Sequence, residues 1–159
     1  MIFVTVGTQL PFDRLVRTVD NWAGSRQRTD VFAQIGPTPW SPHHITWTQH
    51  LDALTFQRKV EQADFLVAHA GMGTIITALE LGKPILVMPR REHLREQRND
   101  HQYATAVRLR ELGKIVVAMD EAELITRLEA LDDLRHSQKI GKFASTELLE
   151  TLRRFINQT

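Results

Sequence analysis

Short runs of β-branched and other apolar residues alternate along this chain with segments of helical periodicity, and that alternation limits the fold to a layered α/β architecture. Residues 2–6 read as a buried strand closed by Gly7, and 11–22 as a helix with Leu15, Val16 and Val19 on one face. Residues 31–35 form a second strand, stopped by Gly36-Pro37, and the proline-rich stretch 37–44 is loop. A short strand near 45–48 leads into a helix over 51–62. Further strands are predicted at 65–67, 84–88 and 115–118, with helices over 74–81 and from Asn99 or Asp100 to Leu112. Asp120 with Glu123 resembles a capping box, ahead of an apolar stripe at Leu124, Ile125, Leu128 and Leu131. Leu148, Leu149, Leu152, Phe155 and Ile156 recur at helical spacing in a C-terminal amphipathic helix within 143–159. The expectation is a Rossmann-like, mostly parallel sheet with helices on both faces, in one domain over residues 1–159.

Composition narrows the function. The chain has no cysteine, which excludes disulfides and thiolate-bound zinc or iron–sulfur centres. Its 20 Lys+Arg balance 19 Asp+Glu to a net charge of +1, giving no global reason to expect a nucleic-acid partner. The first residues lack a basic lead-in and cleavage site, and no apolar run approaches the roughly 20 residues of a membrane span. A soluble, cytoplasmic protein is expected. Open parallel sheets bind ligands at the carboxyl ends of their strands. The loops after Val6, Val67 and Met88 are therefore where chemistry should sit, with Gly7 and Thr8 facing the cleft.

The segment His69-Ala70-Gly71-Met72-Gly73-Thr74 carries the clearest signal. A strand, a glycine turn and a helix present free backbone N–H groups at the positive end of the helix dipole, which suits a phosphate. Thr74 could add a hydroxyl and Glu80, further down the helix, could accept from sugar hydroxyls; equally, the two glycines could only make a tight turn, with Glu80 a solvated helix residue. Dinucleotide binding fits poorly, because Ile76 stands where a third glycine is needed and no acidic residue ends the strand at 84–88. No G-K-[ST] phosphate loop exists in the chain. Seven histidines show no metal-ligand spacing, so no metal and no cofactor is expected. His69 reads as structural, bonded to a loop backbone. The run 90–98 holds four arginines and two glutamates. Arg90 or Arg91 could neutralise a phosphate or meet anionic lipid; equally, the run could be a solvated, self-paired loop.

Taken together, these residues resemble the C-terminal, donor-binding domain of family 28 glycosyltransferases, one half of the two-domain GT-B architecture. The resemblance is carried by residues 3–9 with Phe12-Asp13, by His69–Thr74, by Glu80 with Gly82-Lys83-Pro84, by Pro89-Arg90-Arg91 and by Asn99-Asp100-His101-Gln102. It covers roughly residues 1–113 and is strongest toward the small catalytic subunits of split enzymes, eukaryotic ones acting on dolichol-linked sugar and bacterial ones making exopolysaccharide. It implies a UDP-sugar whose diphosphate lies over Gly71, Met72, Gly73 and Thr74. It implies a ribose held by Glu80 and a donor sugar met by Asp100, His101 and Gln102.

It also implies a missing half. The acceptor domain of a GT-B enzyme is not among these residues, so a membrane-anchored, acceptor-binding subunit is expected to recruit the chain to the cytoplasmic face of a membrane and to hold a polyprenyl-linked acceptor. Asp13 and His101 are the local candidates for a general base, which the partner would otherwise supply. The C-terminal helix serves either core packing or docking. Two other readings stand beside this one: a nucleotide-binding scaffold without transfer activity, and an NADP-type oxidoreductase fragment using Arg90 or Arg91.

Overall fold

Six parallel strands are built from residues buried on both sides. In a computed structural model, which describes residues 1–113, 115–131, 133 and 146–157, these are β1 (Ile2–Thr5), β2 (Val31–Gln34), β3 (Thr46–Thr48), β4 (Phe65–His69), β5 (Ile85–Met88) and β6 (Val116–Val117). They form one sheet in the order β3-β2-β1-β4-β5-β6, with every neighbouring pair parallel. The near-continuous apolar runs of β1, β4 and β5 follow from that position, since a strand covered on both faces has no solvent side to make polar.

Alternate residues of each strand feed two cores. Ile2, Val4, Phe65, Val67, Leu86 and Met88 face α1 (Asp13–Ser25) and α5 (Glu121–Glu129). Phe3, Leu66, Ala68, Ile85 and Val87 face α2 (Ala53–Gln62), α3 (Met72–Glu80), α4 (His101–Leu112) and α6 (Thr146–Asn157). Leu152 of α6 is buried in that second core, so the helix packs on its own sheet. The ends of the predicted 143–159 segment lie outside the described residues.

No helix links β2 to β3. The proline-rich loop between them is held instead by Asp20 of α1, whose buried carboxylate accepts from the backbone N–H groups of His43, His44 and Ile45 at 3.0, 2.8 and 3.1 Å. Arg17 lies over the Trp40 ring at 4.3 Å.

Four details differ from the sequence reading. α3 starts at Met72, two residues early, because Gly71 is its N-cap. Ile125 is 44% exposed, while Leu124, Leu128 and Leu131 are buried at the i, i+4, i+7 spacing that faces α1. Asp100 is the N-cap of α4 but makes no side-chain cap bond; Asn99 Oδ1 takes the His101 N–H at 3.2 Å. Asp120 Oδ1 does accept from Glu123 N–H at 2.9 Å, but the Glu123 carboxylate returns to Met119 N–H, not to Asp120.

Candidate functional site

The strand order reverses between β1 and β4, so the loops after these two strands diverge and leave a crevice at their carboxyl ends. A cavity of about 660 Å³ occupies it, within the size range of small-molecule sites. Its floor is Gly7, Gln34 and His69, at or just beyond the ends of β1, β2 and β4, and Gly71, Gly73, Thr74 and Thr77 of the β4–α3 turn form one wall. Leu51, Ala53 and Phe56 supply an apolar wall, and Arg90, Gln97 and Gln102 close the third side. A groove of about 720 Å³ beside β6 is larger; of its three charged residues, Arg110, Glu123 and Arg127, the first two are already paired with each other.

The α3 N-terminus opens onto this cavity. Gly71 offers no side-chain cap, and the first helical bond runs from Ile75 N–H to Gly71 O at 3.1 Å. The N–H groups of Met72, Gly73 and Thr74 therefore have no partner inside the helix, and the dipole places partial positive charge there. A Cβ built on Gly73 meets nothing within 4 Å, which leaves its backbone open to an approaching ligand.

His69 fills the centre of the floor. A Cβ at Gly71 would stand 2.0 Å from its Cε1 and one at Gly7 2.8 Å from its Nε2, so both glycines are needed to admit the ring. Gly7 also has a φ of +79°, the left-handed region that favours glycine. His69 Nε2 lies 3.3 Å from Thr74 Oγ1, and its Nδ1 lies 3.2 Å from Gln102 Nε2. Desolvation, helped by the charge of Arg90, pulls the imidazole from its ordinary 6.5 down to about 4. His69 is thus neutral and bonded to two side chains of the cavity, where the sequence reading gave it a bond to loop backbone.

Arg90 is 2% exposed, which rules out for this residue the solvated-loop alternative read for 90–98. Its guanidinium donates to the carbonyls of Val6, Leu10 and Pro11, each at 2.6 Å, and to Glu96 O at 3.3 Å. Burial lowers its pKa to about 10, so it stays a cation. Its side-chain nitrogens Nη1 and Nη2 are spent on backbone, leaving it to act on a ligand through charge. Arg91 lies over the Tyr103 ring at 4.1 Å, and Glu96 takes Arg14 Nε at 2.7 Å, Arg14 Nη2 at 2.9 Å and the Arg91 N–H at 2.9 Å. The run is a braced loop.

Of the residues singled out in the sequence, Gly7, Thr8, Gly71, Gly73, Thr74 and Gln102 line the cavity. The other five side chains do not reach it. Met72 packs against the second core, leaving only its backbone near the cavity. Glu80, the last residue of α3, lies about 12 Å along the axis from Met72, and its carboxylate takes Arg153 of α6 at 2.9 Å. The Asp100 carboxylate accepts from Glu92 N–H at 2.9 Å and closes the arginine loop, and His101 is exposed on the outer side. Asp13 Oδ2 accepts from Thr38 Oγ1 at 2.9 Å, and Asp13 is not among the residues lining the cavity. His69, Gln34 and Thr77 were not picked out as ligand-facing. The one sequence signal for Gln34 is an amide ending an apolar strand; it now donates to Gly7 O at 2.8 Å and pins that loop. Among the described residues, no group of three or more His, Cys, Asp or Glu is arranged to hold a metal ion.

Comparison with known proteins places this geometry. The profile described as "Glycosyltransferase family 28 C-terminal domain" matches residues 1–158. The human UDP-N-acetylglucosamine transferase subunit ALG13 is 30% identical over 125 residues, which is 72% of this chain and 10% of that protein. The chain thus spans about a tenth of the length of the curated relatives it matches. Among solved structures, the glycotransferase of kitacinnamycin superposes with a TM-score of 0.61 at 23% identity, covering 96% of this chain and 37% of that one. The NMR structure of ALG13 superposes with a TM-score of 0.57 at 19% identity, covering 81% and 83%.

Proposed function

The chain belongs to the glycosyltransferase family 28 C-terminal domain family, and from that premise we propose that it is the donor-binding, catalytic subunit of a two-part inverting glycosyltransferase. It takes a hexose from a UDP-sugar and passes it to a polyprenyl-diphosphate-linked acceptor, in polysaccharide or oligosaccharide synthesis. The observation that carries this reading is the uncapped N-terminus of α3, opening onto a cavity at the strand-order reversal.

In the reaction, an acceptor hydroxyl attacks the anomeric carbon from the face opposite the leaving group. The bond from that carbon to the diphosphate oxygen breaks, and UDP leaves with the electron pair. Negative charge grows on the β-phosphate. The N–H groups of Met72, Gly73 and Thr74 are aimed at it from a fixed helix end, so their stabilisation needs no reorganisation. The buried charge of Arg90, whose Nη1 and Nη2 donate to backbone carbonyls, adds to the potential. Gln102 and Gln97 stand on the side of the cavity where the sugar would lie.

Neither Asp13 nor His101 faces the cavity, so the base is assigned to the acceptor-binding subunit. That subunit also supplies the second wall of the cleft, and holding the two reactants in line is worth several kcal/mol of the barrier. The partner is membrane-anchored in this reading; among the described residues no helix of this chain is long and apolar enough to cross a bilayer. The test is transfer of label from a panel of UDP-sugars to lipid-linked acceptor in membranes containing the partner. Transfer that depends on added chain supports the reading. Donor binding without transfer in the complete complex would favour the scaffold alternative.

A further inference from the structure

We infer that Gln102 and His69 form a relay of fixed polarity that turns the Thr74 hydroxyl hydrogen into the cavity, making His69 a positioning residue for an anion donor. This rests on the donor-site reading above.

The direction of each bond follows from the one before. The backbone N–H of Arg90 donates to Gln102 Oε1 at 3.3 Å, which leaves the amide nitrogen of Gln102 facing His69 Nδ1 at 3.2 Å. An amide NH₂ can only donate, so Nδ1 must accept. A neutral imidazole then carries its single proton on Nε2, and that N–H donates to Thr74 Oγ1 at 3.3 Å. The Thr74 oxygen thus accepts a hydrogen bond from the floor and has to point its own hydrogen elsewhere. Among the described residues the Thr74 hydroxyl makes no other hydrogen bond, and the cavity is the space it faces.

Thr74 sits in the first turn of α3, beside the free N–H groups of Met72 and Gly73. The hydroxyl adds a side-chain donor to a backbone cradle, already oriented before any ligand arrives. The charged groups that bear on His69 are Arg90, from the end of β5, and Glu96 behind it; Gly7, Gly71 and Gln102 enclose the rest of the ring. Arg90 is the one charged residue among the described residues lining the cavity. Burial of the ring and, after it, the field of Arg90 oppose a second proton, which keeps the relay in one polarity.

The experiment combines spectroscopy on the ligand-free chain with UDP binding. In the full chain with ¹⁵N-labelled histidine, the signal lost on His69→Asn should show a protonated Nε2 and an unprotonated Nδ1, unchanged from neutral pH down to about pH 5. An Nδ1–H tautomer, or a cationic ring at neutral pH, overturns the relay. For UDP, Thr74→Val should lose about tenfold in affinity and Thr74→Ser should stay within about twofold of the parent. Gln102→Met, which frees the tautomer, should weaken binding less than Thr74→Val, and the double variant should bind no worse than Thr74→Val alone. Losses that multiply overturn the relay while leaving the donor site in place. A parent chain that binds no UDP overturns the donor-site reading itself, and the role of Thr74 with it.

Discussion

His69 occupies the space that a side chain at Gly71 would need: a Cβ there would lie 2.0 Å from the imidazole Cε1. The glycine turn is therefore shaped on one side by a neighbouring ring and is open on the other. Gly71 and Gly73, two residues apart, carry opposite constraints.

That contrast gives a paired prediction. Gly71→Ala drives a methyl into His69 and should abolish UDP binding, with a loss of about 1–3 kcal/mol in stability from overpacking. Gly73→Ala enters open space in the first turn of α3. It should leave stability unchanged or raise it by up to about 1 kcal/mol through helix propensity. Chemical denaturation of both variants, with UDP titration, checks the pair. Equal destabilisation would contradict the assigned packing.

The depressed pKa of His69 makes a pH prediction. The unfolded chain protonates this ring near 6.5, whereas the folded chain resists until about 4. Between those values the unfolded state binds the extra proton, so this ring lowers stability as pH falls through the window, by up to about 3 kcal/mol. A His69→Gln variant should lose about 2 kcal/mol less than the parent between pH 7 and pH 4.5 in urea unfolding. Parallel curves would show that the ring titrates normally.

Arg90 ties the start of the cavity to its far side through carbonyls of Val6, Leu10 and Pro11, about 80 residues earlier in the chain. Arg90→Met keeps the bulk but orphans these acceptors. It should cost about 3 kcal/mol or more and speed amide exchange in residues 7–10. Unchanged exchange there would mean the loop is held by something else.

Glu80 is committed to Arg153 on the exposed side of α3 and α6. Glu80→Ala should leave UDP affinity within about twofold and cost no more than about 1 kcal/mol. A loss of about tenfold or more in affinity would restore the ribose contact that the sequence pattern suggested.

The parallel sheet was legible because buried strands leave unbroken apolar runs, and α1 and α5 because one stripe of each faces the core. The glycine turn at 71–73 was legible as an open helix N-terminus for the same local reason: a strand end, two glycines and a helix are adjacent in sequence. What could not be read was anything depending on distant segments meeting. His69 looked structural because its neighbour Gly7 lies in another strand's loop and Gln102 on another helix. Arg90 stood in a charged run that could equally be solvated or ligand-facing, and its burial arises only where β5 ends above the β1 loop and the Phe12 ring. Glu80 was assigned by its place in a pattern, and only the packing of α6 shows where its carboxylate goes. The start of α3 was read late because an N-cap glycine gives no side-chain signal.

The most direct test of the account is a calorimetric titration of the chain with UDP, set beside the same titration of Gly73→Asp. Residue 73 lines the cavity and a Cβ there meets nothing within 4 Å, so the added carboxylate would sit at the proposed anion site. The account predicts saturable UDP binding by the parent and none by a variant whose circular dichroism is unchanged. Undiminished binding by a folded Gly73→Asp protein would contradict the assignment of the diphosphate to the α3 N-terminus.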